Sequence, residues 1–256
     1  MAVITIDIIS DVICPWCFIG YRDLQKAISL YQKTYPGGSK DEFQLSWKPY
    51  FIDQEPPKES VLIQDRMLRK MGPQMTEAAQ TRLKRVGAAL GINFKFGGSM
   101  GSSRLAHVLL HTTAAEKGLV MQSKVSEMLF QYQFEREEDV SCVDTLVRAA
   151  VEVGLGEGEV REWLAGEGAG RGVVEVIEEE GRRVREEGVK GVPHFVIGGS
   201  YHVDGAVDVG EFFEKVVEVR EGRGGEGGGS GTAGGGSGTA GGTCSSSREG
   251  GGMDTC

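Results

Sequence analysis

Residues 11–20 read "DVICPWCFIG", with two cysteines flanking Pro15 and Trp16 directly after the apolar run "VITIDII" at 3–9. The stretch marks the place where one hydrophobic period gives way to another. Residues 2–9 are apolar on both faces except for Asp7, the pattern of a central strand. From Pro15 onward Phe18, Tyr21, Leu24, Ile28 and Tyr31 recur at helical spacing, until "YPGG" at 35–38 ends the run. Cys14 and Cys17 therefore sit at a strand-to-helix junction, open to three readings: a redox pair, half of a metal site, or two buried thiols.

Working outward, "EFQLSWKPYFI" at 42–52 alternates Phe43, Leu45 and Trp47 against Gln44, Ser46 and Lys48, which predicts a second strand and completes a βαβ unit with a parallel pair. The middle of the chain reads as helical, in segments near 60–70, 74–90, 102–117, 120–136, 142–153 and 171–188 punctuated by glycines. The charges of "VIEEEGRRVREEGVKG" at 176–191 read as a solvated helix face. Strand character returns in "GVPHFVIGGSYHVDG" at 191–205, where Gly198-Gly199 signals a hairpin. A last amphipathic helix, from about 208 to 219, carries Val209, Phe212, Phe213, Val216 and Val217 on one side. The order βαβ, helical block, ββα predicts an α/β thioredoxin fold with a helical domain inserted between its halves. Its boundaries are 1–55 with 189–220 for the thioredoxin-like part, 56–188 for the insert, and 221–256 for a flexible Gly/Ser-rich tail built on the repeat GGGSGTA.

Composition narrows the function. The 256 residues carry a formal net charge of −9 with acidic and basic residues interleaved, so no footprint for nucleic acid is present. No apolar run is long enough to span a bilayer, and no secretory signal leads the chain. Cysteine occurs only at 14, 17, 142, 244 and 256, which suits a reducing interior and predicts a cytoplasmic protein. Cys244 and Cys256 fall in the tail, as candidates for an accessory pair relaying electrons to the CxxC.

Redox chemistry needs a thiolate, and the unpaired N–H groups and positive dipole end of a helix N-terminus favour an anion at Cys14. Pro15 suits the first helical turn, having no N–H to lose. Cys14 is expected to be the exposed nucleophile and Cys17, a turn further in, the buried resolving thiol. A zinc site would want a second pair of ligands, and the other cysteines are isolated, so redox is the favoured reading. Pro193 begins a strand placed beside the CxxC helix. A cis Val192–Pro193 bond there would expose the Val192 backbone to an extended substrate, whereas a trans bond would make Pro193 an ordinary strand-start proline. Arg104, His107 and His111 share one helical face, read first as packing, then as site-lining cations, last as metal ligands. Asp11 reads as a turn residue with proton transfer from Cys17 as the alternative, and Asp208 as a helix N-cap.

"SDVICPWCFIG", "GSSRLAHVLL" and "GVKGVPHFVIGG" together resemble the DsbA-like thioredoxin family, and within it the FrnE-type oxidoreductases, over about residues 3–219. The resemblance implies thiol–disulfide oxidoreductase activity with Cys14, Cys17 and Pro193 as the catalytic positions. Beside these, Pro15, Trp16, Val192, Arg104 and His107 are expected to line the substrate site, with no bound cofactor and no metal, glutathione or another thiol as co-substrate, and a disulfide-bearing protein or small molecule as partner. The related kappa-class glutathione transferases and 2-hydroxychromene-2-carboxylate isomerases typically carry serine where this chain has Cys14. A glutathione-dependent isomerase or transferase is thus the rival reading, and a non-enzymatic peptide holdase the third. The chain departs from its relatives at Ser102-Ser103 and His107-Val108, where Asn-Thr and His-Arg are common.

Overall fold

The computed structural model describes residues 1–222; apart from the turn at Glu221 and Gly222, the expected tail with Cys244 and Cys256 lies outside the described residues. The β-branched run Val3–Ser10 forms β1, an inner strand of a four-stranded sheet. Strand β2 (Glu42–Pro49) runs parallel to β1, with Ile8 opposite Trp47, while β5 (His194–Ile197) runs antiparallel on its other side. Gly198 and Gly199, at φ 62° and 72°, turn β5 into β6 (Tyr201–Asp204). Two consecutive left-handed residues give the tight hairpin that glycine makes without steric cost. Val3 is 53 % exposed, so the outer end of β1 is covered on one face only, against the expectation of burial on both.

Helix α1 (Pro15–Thr34) follows β1, and α8 (Val209–Arg220) closes the described chain. Their apolar faces share one core with the alternating Ile4, Ile6 and Ile8: Phe18, Leu24 and Tyr31 from α1, Phe212 and Val216 from α8. Between β2 and β5 the chain runs through β3 (Val61–Leu62), α2 (Ile63–Ala89), β4 (Ser99–Met100), α3 (Arg104–Lys117), α4 (Leu119–Phe134), α5 (Val143–Glu152), α6 (Glu157–Leu164) and α7 (Val173–Glu186). The middle is therefore not helical throughout: β3 pairs antiparallel with β4, and each is too short to show alternation. The segments read near 60–70 and 74–90 are one helical run broken at Gly72, whose φ of 73° and ψ of 171° only glycine adopts readily, with Pro73 restarting the helix.

The helices build a second core from Ala106, Leu109, Val125, Leu129, Leu146 and Val160, and this core takes in Val12 and Ile13 from the loop before Cys14. Cys14 and Cys17 belong to the first core. The CPWC loop is thus anchored in both. Further along α1, Phe18 stacks on Phe130 of α4 at 5.2 Å between centroids, so the first core itself extends into the inserted helices. On the outer edge of β2 the Gln122 side chain donates to Trp47 O and accepts from Trp47 N, both at 3.1 Å, so α4 satisfies that edge as a neighbouring strand would.

Candidate active site

Strand β1 ends at Ser10, and Asp11 turns the chain. Its Oδ1 accepts from Ile13 N at 3.3 Å and its backbone carbonyl from Cys14 N at 3.0 Å, the side-chain turn expected for Asp at this position. The second carboxylate oxygen accepts from Ile52 N at 2.9 Å and so ties the loop to the segment beyond β2. Cys14 is the N-cap of α1, with extended dihedrals (φ −96°, ψ 113°), and Pro15 follows inside the first turn. Cys17 N donates to Cys14 O at 3.1 Å, placing the second cysteine one turn into the helix. No acidic residue occupies that first turn, so nothing there opposes the positive end of the helix.

The Val192–Pro193 peptide bond is cis. The Val192 carbonyl faces the CPWC, 3.7 Å from Cys14 Sγ, and Gly205 N donates to Pro193 O at 2.9 Å, fixing the loop to the end of β6. Gly20 makes this approach feasible. A Cβ there would stand 3.1 Å from both Pro193 Cγ and Phe195 Cζ, so only glycine lets α1 pack this tightly on the proline loop. The sequence reading passed over Gly20, although a glycine inside a helix of otherwise bulky apolar residues is a recognised sign of close packing.

Two expectations are corrected. Cys14 is not exposed: it is fully buried, as closely as Cys17, because the turn folds it onto Val192 and into the apolar cluster of Phe18 and Phe195. Val192 is also fully buried rather than open to a partner strand, since its carbonyl is turned to Cys14. The half-buried members of the motif are Pro15 and Trp16, and the Arg82 guanidinium stacks over the Trp16 ring at 4.7 Å. Arg82, on α2, was not anticipated, because nothing in the sequence ties that helix to the CxxC.

The helical face of Arg104, His107 and His111 is divided among three acidic partners. Arg104 Nε donates to Glu178 of α7 at 2.6 Å, and His111 Nδ1 lies 3.6 Å from Glu180 on the same helix. His107 is enclosed beneath the CPWC loop, edge-on to Phe51, with Nε2 3.6 Å from Asp11 Oδ1. Its burial, at 4 % exposure, removes it as a surface contact for substrate. Among the described residues no group of three or more His, Cys, Asp or Glu side chains is placed to hold a metal ion. Asp208 caps α8, accepting from Glu211 N at 3.0 Å, and this is the N-cap expected.

A cysteine pair opening a helix that follows the inner strand of a four-stranded sheet, the sheet's two halves separated by helices, is the arrangement of a thioredoxin fold. Residues 5–217 match the model of the DSBA-like thioredoxin domain, and the chain belongs to that family. Among solved structures, a probable DsbA oxidoreductase from Streptomyces coelicolor is 25 % identical, with a TM-score of 0.73 over 85 % of this chain and 90 % of that one. The cytosolic disulfide reductase DsbM from Pseudomonas aeruginosa, solved with GSH, shares the fold at 16 % identity and a TM-score of 0.53, covering 85 % and 96 %. A 2-hydroxychromene-2-carboxylate isomerase does so at 15 % and 0.54, covering 86 % and 95 %. No curated protein matches the chain in sequence. Among the described residues no helix is long and apolar enough to cross a membrane.

Proposed function

We propose that the chain is a FrnE-type dithiol–disulfide oxidoreductase in which Cys14 exchanges with a protein or small-molecule disulfide and Cys17 resolves the product. The observation that carries this reading is Cys14 at the N-cap of α1 with its sulfur 3.7 Å from the carbonyl that precedes Pro193. The Cys14 thiolate attacks one sulfur of the substrate disulfide and expels the other as a thiolate, leaving a mixed disulfide. Cys17, as thiolate, then attacks Cys14 Sγ, closing the Cys14–Cys17 disulfide and releasing the second substrate thiol. Two electrons pass to the substrate and its two thiolates take up two protons. Glutathione or another thiol restores the dithiol by the same steps in reverse. The scarcity of cysteine supports a reducing compartment, the cytoplasm, as the place of action.

With both sulfurs buried, the substrate's point of entry is where Pro15 and Trp16 reach the surface. Replacing Cys17 with Ser tests the order of events. Incubated with insulin, the Cys17→Ser protein should accumulate a mixed disulfide at Cys14, detected by mass spectrometry, while turnover falls to background. Unchanged turnover in that variant would instead favour a one-thiol, glutathione-dependent transferase or isomerase, and peptide binding without any adduct would favour a holdase.

A further inference from the structure

His194 follows directly on the cis bond and opens β5, where its backbone pairs with Ile9 of β1 and Asp204 of β6. The exchange chemistry above does not use it. Its imidazole is nonetheless buried and held at both nitrogens: Nδ1 lies 2.8 Å from Asp204 Oδ1, and Nε2 lies 3.0 Å from His202 Nδ1. A ring bonded at both ends can neither turn nor slide without breaking a bond. Two residues before it, the Val192 carbonyl meets Cys14 Sγ. The side-chain clamp therefore acts on the same short loop that the Gly205 N–H holds through Pro193 O.

We propose that the Asp204–His194–His202 chain positions the Val192 carbonyl against Cys14, and so sets the thiol–disulfide balance of the CPWC pair. The inference rests on the redox reading above. His194 is a positioning residue, acting through two peptide units rather than on the sulfur. A carbonyl oxygen held against Sγ accepts from the Cys14 thiol, a contact that the disulfide does not make. Releasing it costs the reduced pair that contact, favours the disulfide and makes it the weaker oxidant.

The clamp is open to solvent on one side. Asp7 of β1, Lys48 of β2, and Arg183 of α7 with Glu187 just after it line the cleft into which His194, His202 and Asp204 project. His202 and Asp204 are exposed, so both can be replaced without emptying the core. Asp204→Ala and His202→Ala should each shift the equilibrium constant with glutathione about two- to fivefold towards the oxidised protein, the size of one weak S–H···O contact. Asp204→Asn, which keeps an acceptor for the ring, should stay near the wild-type value. The double alanine variant should fall short of the sum, because both act through one imidazole. An active wild type whose alanine variants match it in equilibrium constant, losing only thermal stability, overturns the inference alone. A wild type that exchanges with neither glutathione nor peptide overturns the redox reading, and this inference with it.

Discussion

Gly20 lies one turn beyond Cys17 on the face of α1 that meets Pro193 and Phe195. Adding a methyl group there sets two effects against each other: alanine is the better helix former by about 1 kcal/mol, while overpacking a tight contact typically costs about 1–3 kcal/mol. With both neighbours at 3.1 Å and one of them a rigid proline ring, the steric effect should win. Gly20→Ala is expected to destabilise by about 1 kcal/mol in urea unfolding and to lower insulin-reduction activity disproportionately; a more stable, fully active variant would show that the contact yields freely. The cysteines offer a second test at this scale. Cys142 is exposed at the start of α5, whereas Cys14 and Cys17 are enclosed. A bulky maleimide should therefore label Cys142 well before either CPWC sulfur in the folded protein. Iodoacetamide, being small, should reach Cys14 ahead of Cys17, because Cys14 combines the loop position with the helix N-terminal field. Equal rates at Cys14 and Cys17, by peptide mapping, would remove the distinction between nucleophile and resolving thiol.

Among the elements, β2 and α4 depend on one side chain. Gln122 is buried and spends both ends of its amide on the backbone of Trp47, whose indole nitrogen also donates to Ser123 at 3.0 Å. Truncation leaves a backbone N–H and C=O without partners in a largely apolar setting, at roughly 1–3 kcal/mol for each buried group left unsatisfied. Gln122→Ala should thus lose about 2–4 kcal/mol of stability and raise hydrogen exchange at Trp47 specifically; protection at Trp47 equal to wild type would mean that another group, or water, takes over the edge. Helix α6 shows the opposite limit of sequence reading. Its eight residues, "EGEVREWL", bury only Val160, Trp163 and Leu164, too few to establish a period, and the helix was not expected. The long charged helix α7 was legible because its buried Val173, Ile177 and Val184 keep helical spacing while Glu179, Arg182 and Glu186 pair on the exposed side.

Across the whole molecule, Asp41 fastens the two ends of the sheet unit. The buried carboxylate accepts from Ala2 N at 2.6 Å, from Tyr31 of α1 at 2.8 Å and from Arg220 at the end of α8 at 2.8 Å. Burial alone would raise this carboxyl, but the hydrogen bonds from Arg220, the Ala2 N–H and Tyr31 outweigh it and hold it down at about 2. Because the folded value lies below the unfolded one, near 3.8, the carboxylate stabilises the fold fully above that value, and the contribution disappears as pH falls towards 2. Asp41→Asn should lower the urea midpoint at neutral pH and flatten its decline between about pH 4 and 2. An acid limb parallel to that of the wild type would place the titrating group elsewhere. Arg220 belongs to the last helix and Ala2 to the first residues, so this one group joins segments that the helices α2–α7 separate in sequence.

The sequence by itself determined the βαβ and ββα halves that flank a helical block, the central place of β1, the parallel pair β1–β2, the β5–β6 hairpin and the position of Cys14 at a helix start. All of these follow from local period, turn residues and chain direction, which a few neighbouring side chains specify. The turn role of Asp11 and the cap role of Asp208 were legible for the same reason, since each bonds within three residues of itself. Tertiary structure alone decided that Cys14 is enclosed, that His107 meets Asp11, that Arg82 stacks on Trp16, and that His194 is clamped by His202 and Asp204. Each of these depends on how distant segments pack or on which face a strand turns to its neighbour. Exposure in particular is a property of what covers a residue. Cys14 is covered by Val192, 178 positions away, and no local pattern around residue 14 records that contact.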